Sequence, residues 1–248
     1  MDKVLLYTIG CSESCSHASA LLKQSGFFLT DHPTPEVTHL LLDVPSFDTG
    51  GYLRDGTDLQ ELLRMLPRSL CIIGGNLNQE FLAGYQTVDL LQDPYYLAQN
   101  AAITAECALQ FAAPYLKSTF ADTPVLVLGW GRIGKCLAKL LSSMGCAVSI
   151  AARKDSDRAM LEALGYRAVE FSQVPQILKQ HKLLFNTVPE LPLYIDGEQI
   201  IAIDLASVPG LKGNQIIPAR GLPGKYAPQS SGKLIASTIQ RMYQEGIL

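Results

Sequence analysis

The chain has 248 residues, 48% of them apolar and 17% charged, the balance of a soluble globular protein with room for one large or two small α/β domains. A formal charge of −3 supplies no basic footprint for nucleic acid and no polybasic patch for a membrane, so neither is an expected partner. The apolar run that opens the sequence is too short for a signal sequence or a membrane span, and six cysteines spread through apolar segments fit reduced thiols in the cytoplasm.

The first third alternates strand-like and helix-like segments. Residues 4–9 are a short apolar run, and residues 12–24 have helical spacing that stops at Gly26. Cys11 and Cys15 read as small residues opening that helix; a metal site at C-x-x-x-C would need a second pair or a histidine cluster, and neither follows. Residues 38–44 (THLLLDV) and 70–73 are buried-strand candidates, with a helix over 58–65 between them. Such alternation predicts parallel β-α-β packing, here a small flavodoxin-like N-terminal domain over residues 1–93. Asp93 as an N-cap with Pro94 in the first turn then starts a long Ala-rich helix that meets no strong breaker before Pro114. Apolar on more than one side, it reads as an interdomain helix within residues 94–118.

Residues 119–248 carry the clearest pattern, that of a Rossmann-type doubly wound parallel sheet. A buried strand over 124–128 (PVLVL) leads into a glycine loop, a helix over 133–144 and a second strand over 147–151. A helix over 156–164, buried strands over 183–188 and 200–205, and a last helix over 231–244 follow. The loop Gly129-Trp130-Gly131-Arg132-Ile133-Gly134 fits G-x-G-x-x-G, a weak pattern alone that gains weight from the strand before it and the helix after it. Gly129 permits the tight turn, Gly131 lets backbone approach a pyrophosphate, and Gly134 lets the helix pack closely on the strand. The helix start offers unpaired N–H groups to the phosphates.

The end of the second strand bears on the cofactor. NAD-binding domains usually place Asp or Glu there for the ribose hydroxyls, whereas this chain has Arg153 and Lys154, with no carboxylate before Asp155. Two cations there favour NADP(H) over NAD(H), through charge-assisted hydrogen bonds to a 2′-phosphate; the alternative is a solvated pair at the start of a helix. Beyond other strand ends lie Asn186, Thr187 and Pro189, expected near the nicotinamide, then residues 204–210 and a stiff Gly/Pro-dense loop over residues 221–228 that contains Lys225. The four histidines are isolated in sequence and read as surface or packing residues, and no nucleophile–base pair is legible.

From VLVLGWGRIGKCLAKLLSSMGCAVSIAARK through LLFNTVP, IIAIDLASVPG and GLPGKYAPQSSGKLIA, the chain resembles the A-subunit family of dipicolinate synthase. NAAITAE at residues 100–106 resembles the interdomain helix of that family and of the related D-2-hydroxyacid dehydrogenases. The first strand departs from the family: it runs into Gly10-Cys11-Ser12-Glu13 instead of a glycine/aspartate/arginine loop. The resemblance implies a nicotinamide-dependent oxidation of a dihydrodipicolinate-type carboxylate to dipicolinate, in sporulation, partnered by a flavoprotein-like B subunit. It implies that Gly129, Gly131 and Gly134 hold the pyrophosphate, completed by Trp130, Arg132 and Ile133, with Arg153 beside the adenosine ribose. Asn186, Thr187 and Pro189 would line the nicotinamide side. The substrate-facing residues are inferred from their positions, not from the resemblance: Asn100, Thr104, Ser207, Lys225 and Ser230, with Lys225 and Ser207 the candidates for catalysis. Two alternatives stay open: another NAD(P)-dependent dehydrogenase of a small carboxylate, or a catalytically silent nucleotide-binding or partner protein. A homo-oligomer is expected, as is common among such enzymes.

Overall fold

Strands buried on both faces of a parallel sheet are apolar without alternation, and this chain has several. HLLL, CIIG, VLVL, VSIA and LLFN all become short, buried or nearly buried strands. The computed structural model describes residues 4–48, 50–191, 193–196 and 200–248. In chain order, β1 (Leu5–Ile9), α1 (Glu13–Gln24), β2 (Phe28–Thr30), β3 (His39–Leu42), α2 (Leu59–Leu63), β4 (Cys71–Gly74) and β5 (Gln86–Asp89) precede the long helix α3 (Pro94–Ala112). Then come β6 (Val125–Leu128), α4 (Arg132–Ser143), β7 (Val148–Ala151), α5 (Asp155–Ala163), β8 (Arg167–Val169), α6 (Val174–Ile177) and β9 (Leu183–Asn186). The chain closes with β10 (Leu193–Asp196), β11 (Ile201–Asp204), β12 (Leu211–Asn214), β13 (Ile216–Pro218), α7 (Leu222–Tyr226) and α8 (Pro228–Gln244).

Two compact units result, Met1–Asn100 with Pro223–Leu248, and Ala101–Leu222. The first holds a five-stranded parallel sheet in the order β2-β1-β3-β4-β5, the flavodoxin-like order. Its core gathers Leu40, Leu42 and Ile72 from the strands and Leu70 just before β4, with Leu59, Leu62 and Leu63 from α2. The sequence pattern groups the last helix with residues 119–248, but α8 packs on α1 in the first unit. Gly232 makes this possible: a Cβ there would stand 2.5 Å from the Ser14 carbonyl oxygen and 2.8 Å from the His17 Cβ. The Arg241 guanidinium also pairs with Asp93 at 2.7 Å, tying α8 to the start of α3.

The second unit holds a six-stranded parallel sheet, β13-β11-β9-β6-β7-β8. Chain order runs outward in both directions from the β6–β9 pair, which is the doubly wound Rossmann arrangement. A small parallel pair, β10 with β12, lies outside it. The segment expected as a stiff loop over residues 221–228 is instead mostly the short helix α7, running almost directly into α8, which begins three residues earlier than its spacing predicts. Proline explains both differences. Pro223 and Pro228 fall in first helical turns, where the missing N–H would have no intrahelical partner, and the Ala227 N–H donates to the Pro223 carbonyl at 3.0 Å.

Among the described residues no helix is long and apolar enough to cross a membrane, and no group of three or more His, Cys, Asp or Glu side chains converges for a metal. All six cysteines are free.

Candidate functional site

In open parallel sheets ligands sit beyond the carboxyl ends of the strands where chain order reverses. In the second unit that point lies between β6 and β9, and the glycine loop leaves β6 there. Gly129 has φ +104°, a left-handed value that side chains disfavour, and a Cβ on it would come within 2.5 Å of the Thr187 hydroxyl and 2.8 Å of Val188 Cγ2. A Cβ on Gly134 would collide with the Gly129 carbonyl oxygen, so glycine at both positions is what lets α4 close onto the strand. Gly131 is different: a Cβ there would meet nothing within 4 Å. It is the N-cap of α4, and no side chain caps that helix. The first turn of α4 therefore presents backbone N–H groups to open space, which fits a pyrophosphate. Arg132 is exposed and Ile133 half-buried on the same turn. The half-buried Trp130 ring is braced by Tyr166, centroids 6.0 Å apart, with Lys135 Nζ 5.7 Å from its centroid.

Arg153 and Lys154 follow the carboxyl end of β7, both exposed. Their backbone is fixed by a residue the sequence did not single out. The Arg158 guanidinium, one turn into α5, donates to the carbonyls of Ala152 at 2.9 Å and Arg153 at 2.8 Å and pairs with the Asp155 carboxylate. Arg158 thus holds the β7–α5 turn and leaves the Arg153 and Lys154 side chains outward.

Asn186 ends β9, and its carboxamide turns inward. It is fully buried, and its carboxamide is committed: Nδ2 donates to the Val188 carbonyl (2.9 Å) and to Asp204 Oδ1 (2.8 Å), while Oδ1 accepts the Val188 N–H (3.0 Å). It shapes the loop after β9 instead of reaching out of it. Thr187 turns its hydroxyl back to the Leu128 carbonyl at 2.8 Å, and Pro189 lies exposed beyond it. The hub is Asp204, 2% exposed at the end of β11. Besides Asn186 it accepts the backbone N–H of Ala206 (3.2 Å) and of Gly210 (2.9 Å), and the Arg220 guanidinium lies 3.9 Å away. Gly210 is needed there, because a Cβ would strike the Val188 carbonyl and the Asn186 amide. The sequence singles out Asn186 and residues 204–210 separately; that they bond one another was missed, its only signal being an acid ending an apolar strand.

The substrate candidates are spread over both units. Ser207, in the loop after Asp204, is exposed, as are Lys225 on α7 and Ser230 in the first turn of α8. Asn100 and Thr104 lie half-buried one turn apart on α3. His181 is a packing residue: buried, with Nδ1 2.9 Å from the Ile177 carbonyl, Nε2 2.9 Å from the Ser149 hydroxyl, and a pKa pushed down by burial.

The first unit has its own reversal point, between β1 and β3. There the buried Asp43 carboxylate accepts the Cys11 N–H (2.9 Å), the Ser12 N–H (3.3 Å) and the Ser12 hydroxyl. Ser12 Oγ in turn caps α1 through the Cys15 N–H at 3.1 Å. Gly10 is required by the same contact, since a Cβ would stand 2.7 Å from Asp43 Oδ1. Desolvation and the neighbouring Asp43 raise the pKa of the Cys11 thiol, which keeps it protonated.

Residues 100–194 match the NAD binding domain of the D-isomer specific 2-hydroxyacid dehydrogenases. The chain is 24% identical over 194 residues, 71% of its length, to the dipicolinate synthase A subunit of Bacillus subtilis (strain 168), and the match spans 65% of that relative. In fold it is similar to the dipicolinate synthase A subunit of Bacillus halodurans, with a TM-score of 0.82 at 20% identity and 97% of each chain covered. A transhydrogenase from Sinorhizobium meliloti shares the fold at a TM-score of 0.67 and 11% identity, over 98% of this chain and 94% of its own.

Proposed function

We propose that this homologue of the dipicolinate synthase A subunit is a nicotinamide-dependent oxidoreductase that takes a dihydrodipicolinate-type dicarboxylate to dipicolinate, with NADP(H) as its preferred cofactor. The observation that carries the reading is the glycine loop after β6, closed at Gly129 and Gly134 and open at Gly131 before an uncapped helix. The nicotinamide, when bound, supplies the hydride acceptor. The chain's own residues do the rest. The first-turn N–H groups of α4 bind the pyrophosphate, and Arg153 and Lys154 meet the 2′-phosphate on a turn pinned by Arg158. Asn186 and Asp204 set the backbone of the loops beyond β9 and β11, and Thr187 and Pro189 present the surface beside the nicotinamide. Asn100, Thr104, Ser207, Lys225 and Ser230 are the proposed substrate contacts; Lys225 supplies a cation for a carboxylate, and Lys225 or Ser207 a group to move the proton. The proposed partners are a second copy of this chain and a flavoprotein-like B subunit.

The test is fluorescence titration of the purified chain with NADPH and NADH beside an Arg153→Ala variant, followed by turnover of dihydrodipicolinate. Micromolar NADPH binding that loses its preference in the variant, with substrate-dependent NADPH formation, supports the reading. Binding of neither nucleotide ends it, and binding without turnover leaves a nucleotide-binding protein of another activity.

A further inference from the structure

The first unit carries a cavity of about 410 Å³ that shares no residue with the glycine loop. Its lining is mixed: the buried Leu63 and Leu66 and the exposed Gln60 contribute to it. Phe81 and Tyr85 are its aromatic walls, and Arg64 and Arg68 are exposed at its rim. Arg68 lies in the turn leading into β4, and Tyr85 immediately precedes β5. Because the strands are parallel, the cavity sits at the amino-terminal edge of the sheet, opposite the edge where Asp43 ends β3.

Its aromatic rings are held in place before any ligand arrives. Phe81 packs edge-on against Phe47 with centroids 6.2 Å apart, and the Tyr85 hydroxyl donates to the Leu63 carbonyl at 3.4 Å. The Arg68 guanidinium lies 5.1 Å from the Tyr85 ring centroid. Neither Arg64 nor Arg68 forms an ion pair with a described residue, although the chain as a whole is acidic. A guanidinium pairs best with a planar carboxylate or a phosphate, through parallel N–H donors. The two rings add surface that a flat aromatic body can cover, since rings gain from offset stacking or edge contact. The volume is within the range of small-molecule sites. We infer that this cavity is a second ligand site, built for a small aromatic carboxylate whose ring lies against Phe81 and Tyr85 and whose carboxylate meets Arg64 and Arg68.

The test is calorimetric titration of the full chain with 4-iodobenzoate and, separately, inorganic phosphate, repeated on an Arg64→Gln/Arg68→Gln double variant and on Phe81→Leu. Thermal unfolding shows that each variant is folded. The expected result is 4-iodobenzoate affinity at least tenfold weaker in the double variant and several-fold weaker in Phe81→Leu, with the iodine located crystallographically between Phe81 and Tyr85. Equal affinity in wild type and double variant, or an iodine site elsewhere, overturns the inference. So does phosphate binding as tightly with the same arginine dependence, which would reduce the cavity to a bare charge site. Failure here leaves the nucleotide reading untouched, because the two sites have no residue in common.

Discussion

Replacing Asp204 with alanine removes a side chain that joins the loops beyond β9 and β11. Its carboxylate is 3% exposed and accepts from Asn186 Nδ2, the Ala206 N–H and the Gly210 N–H at 2.8, 3.2 and 2.9 Å. Alanine leaves those three donors without their acceptor in a place where water does not reach them easily. A stranded buried donor costs about 1–3 kcal/mol. Three such donors, partly relaxed, bring the expected total to about 3–5 kcal/mol. Arg220 adds little, since its guanidinium is 3.9 Å away and its side chain is 39% exposed, so solvent screens the pair. Trp130 is the only tryptophan and lies in the same unit, so its fluorescence in a urea titration reports unfolding locally. With a slope of about 1–3 kcal/mol per molar urea, the midpoint falls by about 1 M or more, the slope itself being unchanged. NADPH affinity falls as well, because Asn186 loses the partner that orients it. Asp204→Asn lies between: the shape survives, but its Nδ2 must face another donor. A loss below about 1 kcal/mol for the alanine variant, measured the same way, refutes the account of Asp204 as the hub.

Gly134→Ala forces a methyl group into the Gly129 carbonyl, so NADPH binding by fluorescence is lost along with about 2–3 kcal/mol of stability; near-wild-type binding would show that α4 can shift away from β6. Arg153→Ala with Lys154→Ala lowers NADPH affinity by about tenfold or more while NADH changes by less than about threefold; equal losses would mean the pair does not read the 2′-phosphate. Gly232→Leu drives a side chain into the α1 backbone and lowers the thermal midpoint by several degrees, about 2–3 kcal/mol; an unchanged midpoint contradicts the α1–α8 contact. Burial holds His181 below its ordinary 6.5, so the unfolded chain binds more protons as pH falls: the stability from keeping this imidazole neutral is complete above 6.5 and lost progressively below it. Urea midpoints at about pH 7.5 and about pH 5 should therefore differ more in wild type than in His181→Gln, and equal differences would remove His181 from the acid response.

The parallel sheets were legible because their central strands are short, apolar and bounded by turns. VLVL and LLFN are pinned in place by burial on both faces. The strands that went unseen lie toward sheet edges or outside the main sheets: β5 (QTVD) and β8 (RAV) are short and partly polar, so their sequences read as loop. The glycine loop was legible because Gly129 and Gly134 answer local demands of backbone geometry and the strand before and helix after them are strongly patterned. The position of α8 was not, since its contact with α1 joins residues more than two hundred apart through the small size of Gly232. Asn186 was singled out at a strand end, but the inward commitment of its carboxamide was not legible. Its amide and the carboxylate that holds it are separated by seventeen residues, and only the pairing of β9 with β11 aligns Asn186 with Asp204.

That alignment bears on what distinguishes this site. At the carboxyl ends of β6, β9 and β11 the polar side chains turn inward: Thr187 to a backbone carbonyl, Asn186 and Asp204 to each other and to the loops. The surface left for a dinucleotide is then mainly backbone, the N–H groups at the start of α4, with the outward side chains of Arg153 and Lys154 beside β7. A backbone surface binds any pyrophosphate alike, so it gives affinity and no choice between cofactors. On the proposed reading, discrimination falls to two exposed cations, whose effect on affinity is screened by salt. Preference for NADPH over NADH should therefore shrink as ionic strength rises while NADH affinity changes less, and a preference that persists in high salt would place the discriminating contact somewhere other than Arg153 and Lys154.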